Sequence, residues 1–78
     1  MPTVLRVKGF RFFFFSNEAN EPVHIHVESD DKYAKFWLEP VQLAKSVVYS
    51  ARELIEIRYL IVLNVSILKR RWDEYFGH

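Results

Sequence analysis

Two histidines stand one residue apart in Glu21-Pro22-Val23-His24-Ile25-His26-Val27-Glu28. In an alternating run that spacing puts both imidazoles, with the Glu28 carboxylate, on one face of a strand. Imidazoles titrate near neutral pH, so the pair suits proton transfer, and each can also ligate a metal through one ring nitrogen. With Glu28 the set has the composition of a two-histidine, one-carboxylate centre. The spacing alone is a weak signal and a third ligand would have to come from elsewhere, so no metal or other cofactor is assigned. His24 and His26 are the candidate catalytic residues. The plain structural alternative makes them hydrogen-bonded histidines on a half-exposed sheet face, serving the fold or a partner.

These residues need a sheet to hold them. Thr3-Val4-Leu5-Arg6-Val7 reads as a first strand, ending at Lys8-Gly9, where glycine permits a tight turn. Residues 10–15 read as a second strand with aromatic side chains on both faces, Phe10, Phe12 and Phe14 opposite Arg11, Phe13 and Phe15. The polar run from Ser16 to Pro22 reads as a loop, with Ser16-Asn17-Glu18 either lining the site or simply turning the chain. Strands follow over 23–28 and 33–38, joined by the turn-forming Ser29-Asp30-Asp31-Lys32, with Val23, Ile25 and Val27 inward. Alternation then lays Arg11, Lys35 and Trp37 beside the histidines. With Glu28 these are the candidate binding residues, for a cationic and aromatic face can hold phosphates and stack bases, and the same composition is enriched at protein interfaces.

Glu39-Pro40 breaks the fourth run, and 41–46 fits a fifth strand or a helical turn, with the strand preferred. Ser50-Ala51-Arg52-Glu53 fits a capping box opening a helix over about 51–76, with Gly77 placed to end it. Leu54, Ile57, Ile61, Val65, Leu68, Trp72 and Tyr75 give its core stripe. Such a rod, near 39 Å long at about 1.5 Å per residue, outruns a small sheet and calls for a bend or an overhang. Its middle, from Tyr59 to Leu68, is apolar nearly all round, the mark of a helix deeply buried or paired with another chain. Lys69-Arg70-Arg71 reads as a solvated helix end, and Trp72 and Tyr75 as core. The fold class is therefore α+β: a four- or five-stranded antiparallel sheet packed on one long C-terminal α-helix.

The totals agree with one small domain. Seventy-eight residues support a single core, and 50% apolar content with seven phenylalanines excludes a disordered chain. The net charge of +1 makes no case for nucleic acid at the level of the whole chain. With no cysteine, disulfides and thiolate metal sites are excluded. No apolar run approaches a membrane span and Arg6, Lys8 and Arg11 interrupt any leader-like stretch, so the expected location is the cytoplasm with no membrane contact.

The segments Gly9-Phe10-Arg11-Phe12-Phe13-Phe14-Phe15-Ser16-Asn17-Glu18, Glu21-Pro22-Val23-His24-Ile25-His26-Val27, Ala34-Lys35-Phe36-Trp37-Leu38, Ser50-Ala51-Arg52-Glu53-Leu54 and Trp72-Asp73-Glu74-Tyr75-Phe76-Gly77 resemble, in order, a family of short bacterial proteins known as a domain of unknown function. The resemblance spans nearly the whole chain, and it implies the toxin of a type II toxin–antitoxin pair of the DhiT kind. It implies no catalytic mechanism. The chain departs from the family pattern at Ser46-Val47-Val48-Tyr49 and in its unusually apolar stretch from Tyr59 to Leu68. The leading expectation is a toxin acting through RNA or translation, with a small antitoxin encoded alongside as partner and RNA as a candidate second partner. The alternative is a non-enzymatic interaction module that binds a partner or a second copy through the aromatic face and the apolar helix.

Overall fold

The computed structural model describes residues 3–15 and 20–77. Five strands, β1 (Thr3–Val7), β2 (Phe10–Phe13), β3 (His24–Ser29), β4 (Lys32–Leu38) and β5 (Val41–Val47), form one antiparallel sheet in chain order. Local turn chemistry sets the register. Lys8 and Gly9 both take positive φ (52° and 82°) between the paired Val7 and Phe10, the geometry of a two-residue hairpin whose twist matches its strands. Asp30 supplies the positive φ, 53°, in the two-residue turn joining Ser29 to Lys32. Glu39 and Pro40 turn the chain between Leu38 and Val41, and residues 41–47 are a strand. β2 stops two residues earlier than expected. Phe14 leaves the ladder and packs its ring edge-on against Trp72, 5.3 Å between centroids.

The expectation of one long helix is corrected to two, α1 (Ala51–Leu63) and α2 (Val65–Phe76). Asn64 divides them with φ −115° and ψ 14°. Its side-chain N–H donates to the Leu60 carbonyl at 2.8 Å, the same oxygen that accepts its backbone N–H at 3.2 Å. Bonds of this kind offer the backbone an alternative to the helical ladder and bend it. The bend also answers a length problem, since a straight rod of about 39 Å would overrun the longest extent of the molecule, 34 Å.

Both helices bury their inner stripe on one sheet face. Phe10, Phe12, Phe14, Ile25, Val27, Ala34, Phe36 and Leu38 meet Ile57, Leu60, Ile61, Leu68 and Trp72 there. Tyr75, expected in the core, is 45% exposed at the edge of the core, its ring 6.4 Å from that of Phe14. α1 opens with the expected capping box: the Glu53 N–H donates to Ser50 Oγ at 3.2 Å, and the Ser50 N–H donates to Glu53 Oε1 at 2.9 Å.

Glu53 also accepts a bond from Lys32 Nζ at 2.6 Å, tying the start of β4 to the start of α1. The Lys32 ammonium, and then the Ser50 N–H, hold the Glu53 carboxyl below its ordinary range. Reciprocally, the Glu53 carboxylate holds Lys32 above its ordinary value. The carboxyl's contribution to stability is therefore present above its unfolded pKa, about 4.3, and is lost as pH falls through its lower folded value. The ammonium's contribution is present below about 10.4 and is lost as pH rises through its higher folded value. Glu53→Gln keeps the capping geometry without the charge. Its melting temperature should lie below wild type at pH 7 and converge on it as the acid limb is descended; parallel acid limbs would refute the pairing.

Candidate functional site

The second sheet face carries His24, His26, Arg11, Glu28, Lys35 and Trp37 in cross-strand rows. Arg11 of β2 pairs with Glu28 of β3, and Glu28 with Tyr33 of β4. Phe13 pairs with His26, and His26 with Lys35. His24 pairs with Trp37. Period-two alternation produces this array, because one register places every second residue of each strand on the same side.

The two histidines differ from expectation in being sealed, at 0% and 2% exposure. Their own aromatic neighbours close over them. The His26 ring stacks with Phe13 at 5.4 Å, meets Phe15 edge-on at 4.5 Å, and lies 5.0 Å from the His24 ring. His24 in turn meets Trp37 at 5.6 Å and Trp72 at 4.9 Å. Trp72 belongs to α2 and also touches Phe14, so a single side chain joins the histidine cluster to the helix layer. His24 Nδ1 lies 2.8 Å from the Pro22 carbonyl, and since a carbonyl only accepts, that nitrogen carries the proton in the bond. His26 Nδ1 is 2.7 Å from the Tyr33 hydroxyl, close enough for a strong bond in either direction.

The charged residues form the rim. Arg11 reaches Glu28 at 3.1 Å, donates from Nε to Thr3 Oγ1 at 2.8 Å, and holds its guanidinium 4.5 Å from the centre of the Phe13 ring. Lys35 donates to Glu21 at 2.7 Å and sits 4.5 Å over the Trp37 ring. Each cation is thus sandwiched between an aromatic ring and a carboxylate, and the two carboxylates are about 40% exposed. Glu28 is drawn to Arg11 rather than to the histidines, and among the described residues no group of three histidine, aspartate or glutamate side chains is placed to hold a metal.

Tyr33, Glu21 and Trp72 are among the partners that escaped the sequence reading. Tyr33 was within reach, because the alternation that placed Lys35 and Trp37 on this face places Tyr33 there too. Glu21 and Trp72 approach from outside the strands, where alternation is silent. Ser16-Asn17-Glu18 lies outside the described residues.

Fold and site together define a small α+β domain in which an antiparallel meander, backed by two helices, presents a rim of paired cations over an aromatic and histidine platform. The family model described as Domain of unknown function (DUF4160) matches residues 9–73, and the chain belongs to that family. No curated protein and no solved structure matches the chain. Among the described residues no helix is long and apolar enough to cross a membrane.

Proposed function

We propose that this chain is the toxin of a two-gene toxin–antitoxin module and restrains growth by binding RNA or the translation machinery through the rim of the second sheet face. The observation that carries the reading is the pairing of cation with ring at Arg11–Phe13 and Lys35–Trp37, both beside sealed histidines. An acid or base must come within about 3 Å of the proton it moves. Imidazoles this deeply covered build the platform, while Arg11, Lys35 and Trp37 make contact. The carboxylates of Glu28 and Glu21 are the open side of each pair, about 40% exposed, so a phosphate or an antitoxin carboxylate reaches the cations by displacing them.

Induction without the neighbouring gene should arrest growth, and co-expression of the neighbour's product should relieve the arrest. Arg11→Ala with Lys35→Ala should relieve it while leaving a folded protein. If the ligand is single-stranded RNA, removing two phosphate contacts should also flatten the dependence of log affinity on log salt by about 1.4. Unimpaired growth under the induced wild type would overturn the reading.

The alternative, a non-enzymatic interaction module, draws support from a different observation: Ile55, Tyr59, Val62 and Leu63 face solvent on α1, opposite its core stripe. A chain inert toward growth that nonetheless forms a stoichiometric complex with its neighbour's product would favour it.

A further inference from the structure

We infer that α1 is the dimerisation helix of this protein, and that two copies pair antiparallel about a two-fold axis passing beside Tyr59. This deepens the interaction reading above, yet purified protein alone tests it, so its failure would leave the growth assay and the partner complex to be judged separately.

The starting point is the outer surface of α1. Its inner stripe, Ile57, Leu60 and Ile61, is buried on the sheet. On the opposite side Ile55 is 71% exposed and Tyr59 and Leu63 are 62% exposed, with Val62 beside them. A surface helix with one buried face ordinarily turns polar residues outward. Here the apolar surface extends at both ends. Leu43 of β5 shares with Ile55 an open cleft of about 440 Å³, and Ile67 follows Leu63 by one turn beyond the bend. Six side chains exposing on the order of 100 Å² each make a patch at the top of the range seen on monomers. With the stems of Arg52 and Arg58 alongside, it approaches the roughly 800 Å² per partner of a stable complex.

The occupant is a second copy because the patch is its own complement. Ile55, Tyr59 and Leu63 lie at four-residue steps, forming one ridge that is symmetric about Tyr59. An antiparallel two-fold sets Tyr59 against its equivalent and Ile55 against Leu63 twice over, the isologous pattern of a symmetric dimer. It also brings the outlying Leu43 of each copy toward Ile67 of the other. Ridges of this spacing interdigitate at a crossing angle of about −50°. The flanking charges favour this arrangement over the parallel one: Arg52 would stack on its own copy in a parallel pair, whereas the antiparallel arrangement carries the two Arg52 side chains to opposite ends.

The test is mass in solution across micromolar concentrations, by light scattering after gel filtration and by sedimentation equilibrium. Wild type should be dimeric. Tyr59→Glu puts two like charges on the axis and should weaken association at least tenfold with the far-ultraviolet circular dichroism unchanged. Ile55→Lys should weaken it similarly, and the double variant Ile55→Lys/Leu63→Glu, which juxtaposes opposite charges only in the antiparallel register, should associate more tightly than Ile55→Lys and become salt-sensitive. The double variant keeps the question open to decision should Tyr59→Glu fail to fold. A monomeric wild type, a Tyr59→Glu variant that dimerises like wild type, or a double variant weaker than Ile55→Lys would overturn the proposal.

Discussion

Trp72→Ala should unfold this protein at temperatures where the wild type is fully native. Trp72 is buried, with its ring against Phe14, Phe76 and His24 at 5.3, 4.3 and 4.9 Å. Truncating a buried tryptophan to alanine costs about 3–5 kcal/mol through lost burial and the cavity left behind. A chain of this length has a total stability of only about 4–12 kcal/mol. The melting temperature should accordingly fall by roughly 12–40 °C, at about 4–8 °C per kcal/mol for so small a domain. Trp72→Phe, which retains a ring for Phe14 and His24 to pack on, should lose far less. The consequence reaches beyond stability, because the same indole backs the histidine platform. Near-ultraviolet circular dichroism should therefore lose its aromatic signal in Trp72→Ala before the secondary structure is gone. A shift of only a few degrees would mean that sheet and helix layers hold together without this link.

The sheet was legible because strands report themselves with period two. One alternation through β2, β3 and β4 separates Phe12, Ile25, Val27 and Phe36 from Arg11, His24, His26, Lys35 and Trp37, and antiparallel pairing does the rest. The capping box was legible for the same reason: it is a local bond between residues three apart. What alternation cannot give is the cover over a face. A residue pointing away from the core is expected to meet water, and His24 and His26 instead meet Phe13, Phe15, Trp37 and Trp72, two of them from outside the paired strands and one from the far end of the chain. The break at Asn64 was hidden by a continuous apolar stripe, since the amide that bends the helix sits in the row of otherwise good helix formers. The all-round apolar middle of that stripe led to the expectation of a helix deeply buried or paired with another chain; deep burial holds for Ile57, Leu60, Ile61 and Leu68, while Tyr59, Val62 and Leu63 stand exposed.

Replacing His26 by phenylalanine should leave growth restraint nearly intact, and this result separates a platform from a catalyst. The His26 ring stacks with Phe13 and Tyr33 and meets Phe15 and His24 edge-on, an environment that accepts a phenyl ring with little change in shape. The substitution gives up the bond to the Tyr33 hydroxyl, a cost of about 1–3 kcal/mol, partly offset by greater apolar burial. His26→Ala is harsher, since it empties the space that four rings close around, and it should lose restraint in proportion to the folded fraction. Tyr33→Phe removes only the hydroxyl and sets the scale for the bond by itself. If His26 moved a proton in a reaction, His26→Phe would be folded and yet about 10²–10⁴-fold less active, because that is what a positioned acid or base contributes. A folded, inert His26→Phe would therefore return the histidine to chemistry. A folded, active one leaves the contact surface to Arg11, Lys35 and Trp37, whose charge and ring pairing already fit them for it.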